Sequence, residues 1–176
     1  MAIIYKGGNG VIGRLAKAIH IVSAFWVVVL ALIIFVDVTG RYLFSYPLLG
    51  AAEVIKNSVV SVTFLQLPLA IYRGGMIRTT ILYDAVGAGG KRAIRTFANI
   101  LGLLFFFATA YSSWDPAIEA WGIGEYEGEG ALRVPTYPVR FLVALTSAFA
   151  AFIYLYLIYL DWTGQLDGES GEIVGA

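Results

Sequence analysis

A chain of 176 residues has the length of one ordinary soluble domain, yet 59% of it is hydrophobic and only 14% charged, against roughly 45–50% and about 25% in soluble proteins. A soluble fold of this size has nowhere to hide so much apolar surface, whereas a lipid bilayer accepts it. Twelve basic residues cancel twelve acidic ones, so charge gives no reason to expect nucleic acid, and the lack of cysteine excludes disulfides, thiolate metal sites and cysteine nucleophiles.

Residues 1–15 read as a flexible cytoplasmic leader. Within it, Gly8-Asn9-Gly10-Val11-Ile12-Gly13 matches the G-x-G-x-x-G spacing. That fingerprint binds dinucleotides only between a strand and a helix of a βαβ unit, and a membrane span follows here instead. The first span is predicted over 16–40 and is nearly unbroken in apolarity from Ile19 to Val36. It is too long for a cleavable signal peptide, and no small-residue cleavage site follows. His20 lies near its cytoplasmic boundary with no acid within a helical turn. A single histidine cannot supply a bis-histidine haem. Asp37 and Arg41 stand four apart, acid first, the favourable order for a pair on one helix face. Both are solvated among the headgroups, or Arg41 reaches an acid on another segment, Glu53 being nearest in sequence.

Pro47 is placed to open the second helix, and the second span is predicted over 51–71. It is the most polar of the four, holding Asn57, Ser58, Ser61, Thr63 and Gln66, so it is expected to face protein more than lipid. After Arg73-Gly74-Gly75, the spacing of Ile77, Ile81, Leu82 and Ala85 predicts a short amphipathic surface helix over 76–86. A third span is predicted over 92–114, then a polar loop from Asp115 to Pro138 containing Glu125, Glu127 and Glu129. The fourth span is predicted over 139–160, closing in Tyr154, Tyr156, Tyr159 and Trp162 as an interfacial aromatic belt. The acidic tail, 163–176, is expected to be flexible.

The expected architecture is therefore an all-α polytopic membrane protein, with a four-helix membrane domain over 16–162 and one short cytoplasmic surface helix. Eight basic residues (Lys6, Arg14, Lys17, Arg73, Arg78, Lys91, Arg92, Arg95) flank one side and four (Arg41, Lys56, Arg133, Arg140) the other. The positive-inside rule then places both termini in the cytoplasm. The central turns of all four predicted spans hold no Asp, Glu, Lys, Arg or His, the residues that ion-coupled pathways carry at that depth. Small residues on the fourth span, Ala144 with Ala148 and Ser147 with Ala151, permit close helix packing. No Ser-His, paired-Asp or metal-ligand cluster suggests an enzyme.

The stretch DVTGRYLFSYPLLGAAEV, with Asp37, Arg41, Tyr42, Phe44, Pro47, Gly50 and Glu53 at its marked positions, resembles the signature of the small membrane subunit of TRAP (tripartite ATP-independent periplasmic) transporters. YRGGMIRTTILYD resembles the family's stretch after span two, and VPTYPVRFLVALTSAFAA its entry into span four. Met76-Ile77-Arg78-Thr79-Thr80 departs from the family's usual His-Ile followed by Val-Asp. The resemblance implies a three-part importer in the bacterial inner membrane. A periplasmic protein captures an organic acid or similar small solute, and a large membrane subunit, where sodium coupling is expected, moves it inward. The small subunit serves as scaffold and helps dock the capture protein, with no cofactor in this chain. On that reading Asp37, Arg41 and Glu53 hold the outer hairpin, while Tyr42 and Phe44 pack at the boundary. Asn57, Ser61, Gln66, Ala144 and Ala148 are candidates for contact with the large subunit, and Glu125, Glu127 and Glu129 for contact with the capture protein. A self-sufficient homo-oligomeric transporter and a membrane anchor of another complex are the rival readings.

Overall fold

The computed structural model describes residues 11–73, 88–128 and 133–163. The expected surface helix over 76–86, residues 1–10 of the leader and the tail from 164 onward lie outside the described residues. Among the described residues four helices carry the fold: α1 (Val11–Phe44), α2 (Ala51–Tyr72), α3 (Ala88–Ile123) and α4 (Tyr137–Trp162). Between α3 and α4 a two-residue antiparallel ribbon pairs β1 (Tyr126–Glu127) with β2 (Val134–Pro135). All four helices are long and apolar enough to cross a membrane.

α1 and α3 run beyond the predicted spans at 34 and 36 residues, rods of roughly 50 Å against a hydrocarbon core of about 30 Å. The start of α1 takes in part of the expected leader, because Gly13 is buried where α1 crosses the end of α2. A Cβ on Gly13 would meet the Tyr72 ring at 3.0 Å. The third glycine of the fingerprint-like run thus serves helix packing. α3 likewise continues through Pro116 to Ile123, where a loop is expected from Asp115. It does so because Ala117 and Ala120 are buried and Trp121 stacks edge-on against Tyr137 and Phe141 of α4, with centroids at 4.9 and 6.3 Å.

α1 meets α2 along a narrow seam. Its buried residues Ala16, Ser23, Leu30 and Asp37 recur every seven positions, the spacing of two helices wound left-handedly about each other. Halfway along, the Ser23 hydroxyl donates to the Val62 carbonyl at 3.3 Å. α4 lies at the centre, packed against α3 on one side and α2 on the other, while α1 packs along α2. The order across the membrane is α1–α2–α4–α3, an open row. Among the described residues, α1 does not pack along α3 to close a bundle.

The buried cluster sits where α2, α3 and α4 meet, formed by Ile71, Tyr72, Phe106, Ala150, Ile153 and Tyr154. Tyr154, expected in the interfacial belt, is instead a core residue at 6% exposure, stacked on Phe106 at 5.8 Å. Tyr159 and Trp162 do face outward. The Tyr154 ring fills the space left by Gly102, where a Cβ would come within 2.5 Å of it. Gly102→Ala is therefore expected to lower the thermal stability of the detergent-solubilised protein by about 1–3 kcal/mol, the range for overpacking. Adding Tyr154→Leu should recover part of the loss, and equal melting temperatures for Gly102→Ala and the parent protein would refute the close fit.

Candidate functional site

The turn between α1 and α2 is organised by one carboxylate. Asp37, 7% exposed, accepts from Arg41 Nε at 2.9 Å through one oxygen and from the Leu48 backbone N–H at 2.9 Å through the other. The first bond lies along α1, and the second draws the following segment back over the helix end. Closing the turn also requires Ser45 and Gly50 in the left-handed region, at φ 52° and 77°. Gly40 is needed too, because a Cβ there would stand 2.8 Å from the Tyr46 carbonyl oxygen.

The signature residues sort accordingly. Asp37 and Arg41 are brought together, and Gly50 sits at the start of α2. Pro47 precedes that start and lies in the exposed turn, not at the head of the helix. Glu53, half-buried in the first turn of α2, does not pair with Arg41; a carboxylate four residues away on the same helix wins over one that needs the turn to bend further. Tyr42 and Phe44, expected to pack at the boundary, stand 86% and 74% exposed on this chain. Gly40 was missed by sequence reasoning, although it lies inside the signature next to Arg41.

The α3–α4 connection is held by two further ion pairs. Arg140 grips Glu125 with two nitrogens, each at 2.8 Å. The Thr136 backbone N–H donates to the Glu125 carbonyl at 3.1 Å. Lys56 of α2 reaches Glu127 at 2.9 Å and ties the ribbon to the α1–α2 side. Two of the three carboxylates expected to contact the capture protein, Glu125 and Glu127, are thus already engaged within the chain, and Glu129 lies outside the described residues. Of the candidates for large-subunit contact, Ala144 is 1% exposed and spent inside the row. Ala148 lies open in a groove of about 520 Å³ between α3 and α4, with Phe107, Tyr111, Trp114 and Phe152 around it and Asp115 at one end. Asn57, Ser61 and Gln66 are half-buried, and the Ser61 hydroxyl is returned to the Asn57 carbonyl at 2.8 Å.

At the opposite end of the row is a buried ion pair that sequence reasoning missed. Asp161 of α4, fully buried, pairs with Arg95 of α3, whose side chain is 8% exposed. The Thr96 hydroxyl donates to the same carboxylate at 3.0 Å. Each residue alone reads as a solvated flank charge at the end of an apolar run. The legible signal was a lone acid directly after the apolar run of α4, in reach of a basic flank on the neighbouring antiparallel helix.

The class defined by these features is a polytopic membrane protein whose ionic contacts staple helix ends, and no group of three metal-binding side chains occurs among the described residues. Residues 30–164 match the family described as tripartite ATP-independent periplasmic transporters, DctQ component, and the chain belongs to that family. It is 28% identical over 113 residues to the ectoine TRAP transporter small permease protein TeaB of Halomonas elongata, an overlap of 61% of this chain and 58% of the relative. A family of transporter components, together with four membrane-spanning helices, makes this a multi-pass protein of the bacterial inner membrane.

Two outcomes follow from the ion pairs. Breaking a buried pair from one side leaves the other charge uncompensated, so Asp161→Leu is expected to cost about 3–5 kcal/mol. Arg95→Leu with Asp161→Leu should recover most of it, both read by denaturant titration in micelles; an unaffected single variant would refute the pair. At the ribbon, the hydrogen bond from Arg140 holds the Glu125 carboxyl below its ordinary value of 4.5, with desolvation opposing. A group whose pKa falls on folding stabilises the fold above its unfolded value, and that contribution is lost as pH drops through the lowered folded value. Amide-exchange protection in the ribbon should therefore be flat from neutral pH to about pH 5 and fall below it. Glu125→Gln should abolish the step, whereas a pH-independent ribbon in the parent protein would contradict the assignment.

Proposed function

We propose that the chain is the small membrane subunit of a sodium-coupled TRAP transporter and acts as a stationary scaffold for the large transport subunit. The transporter takes up organic acids or similar small solutes, sodium is bound by the large subunit, and a periplasmic solute-binding protein delivers the cargo. The observation that carries this reading is the open row of helices. A closed four-helix bundle turns its packing seams inward, whereas the order α1–α2–α4–α3 leaves helix faces free for a membrane partner. The spans hold no ionisable side chain at their central turns among the described residues, which favours a pathway built in another subunit.

Both termini are assigned to the cytoplasm, on the excess of Lys and Arg in the flanks at that end. The ribbon between α3 and α4 then faces the periplasm. Contact of the capture protein with Glu125, Glu127 and Glu129 has to compete with the Arg140 and Lys56 ion pairs, so exchange of partners at those carboxylates is part of the proposal. The rigid turn around Asp37 suits a part that keeps its shape while a neighbour moves.

The test is recovery of the tagged chain from detergent-solubilised native membranes, with partners identified by mass spectrometry. A large polytopic subunit is expected in stoichiometric yield. Reconstituted with it and the binding protein, uptake driven by a sodium gradient should require this chain; ectoine, named for the relative, belongs in the solute panel. Recovery of the chain alone or only with itself, together with transport by the purified chain, would overturn the proposal in favour of a small homo-oligomeric transporter.

A further inference from the structure

The helices differ in what they leave uncovered. α1 turns large apolar side chains outward along its length, Phe25, Val28, Leu32 and Phe35 among them, a surface that lipid tails cover without loss. α2 does not. Its open face carries Val59, Thr63 and Ala70, with Gln66 half-buried in line with them. These positions recur at steps of four, three and four, so they lie on one side of the helix. Small and polar residues are what membrane helices place where another helix approaches, because lipid supplies no hydrophobic drive between them.

Gln66 sharpens the distinction. It lies between Lys56 and Arg73, roughly 10–15 Å from each at about 1.5 Å per residue, and so near the middle of a hydrocarbon core about 30 Å thick. Its carboxamide offers two donor hydrogens and an acceptor oxygen, and no hydrogen bond reaches it from any other described residue. Neighbouring Thr63 returns its hydroxyl to the Val59 carbonyl at 2.8 Å and Ser61 does the same to Asn57; a glutamine amide at mid-helix has no such local solution here. Lipid tails cannot hydrogen-bond, and water is absent at that depth. The remaining source is a polar group on another helix.

We propose that the face of α2 formed by Val59, Thr63, Gln66 and Ala70 is the seat of one transmembrane helix of the large subunit. That helix brings small side chains against Thr63 and Ala70 and a hydrogen-bonding group to Gln66. The inference rests on the scaffold reading above and adds the face and the chemistry of the contact. Lys56, tied to Glu127, bounds the seat at one end and Arg73 at the other. The lipid-compatible exposed face of α1 and the buried Ala144 take no part.

A photoactivatable residue at Thr63 or at Ala70, with one at Phe35 as the lipid-facing control, is illuminated in native membranes that hold the whole transporter. Adducts with the large subunit are expected from Thr63 and Ala70, and lipid adducts alone from Phe35. Gln66→Leu should lower recovery of the large subunit with the tagged chain by about three- to tenfold, while the cross-linking arm keeps Gln66 intact. Adducts only with lipid or with a second copy of this chain, while the large subunit still co-purifies, overturn the seat and leave the scaffold reading standing. Failure of the unsubstituted chain to recover any large subunit overturns both.

Discussion

A slab of hydrocarbon about 30 Å thick, which tolerates neither an unpaired charge nor an unpaired backbone group, is the constraint on which this structure depends. Helices satisfy the backbone internally, and the charges are driven to two planes. Lys17 and Asp37 on α1, Lys56 and Arg73 on α2, Arg95 and Asp115 on α3, and Arg140 and Asp161 on α4 each bracket about 25–30 Å of helix. Where such a boundary residue is also buried by a neighbour, it must be paired. Asp37 takes Arg41 and the Leu48 N–H, and Asp161 takes Arg95 and Thr96. The same rule that clears the middle of the spans therefore supplies the staples at their ends.

Between the two planes, packing and not charge decides the arrangement. α4 is the shared element, because its small residues Ala144, Ser147, Ala150 and Ala151 are buried and let helices approach from two sides. α1, by contrast, commits only its seven-residue seam to α2. The result is a row and not a bundle, fastened at one end by the Asp37 turn and the ribbon ion pairs, and at the other by Arg95 and Asp161. A row fastened at both ends keeps broad faces open, as the proposed scaffold role requires.

Much of this was legible in the residues themselves. The four spans follow from apolar run length, and the end of α2 is within one residue of its prediction because Arg73-Gly74-Gly75 interrupts the pattern. The extent of α1 and α3 was not legible. Asp115-Pro116 reads as a stop, and only the burial of Ala117 and Ala120 with the stacking of Trp121 on Tyr137 explains why the helix continues. Nor does composition tell a belt tyrosine from a core one; Tyr154 turns inward because Gly102, some fifty residues earlier in sequence, leaves room for its ring. The Arg95–Asp161 pair was hidden for the same reason, since its members are distant in sequence and each is unremarkable alone. In the signature turn, the aspartate and arginine drew attention, while the partner that closes the turn is a backbone N–H, invisible to any reading of side chains.

The arrangement of the row is the central claim, and paired cysteine cross-linking in native membranes tests it most directly, the chain having no cysteine of its own. Pairs placed across α1 and α2, across α2 and α4, and across α3 and α4 are expected to form disulfides, while pairs between α1 and α3 at matched depth are not. Efficient cross-linking of α1 to α3 within one chain would close the bundle and contradict the account.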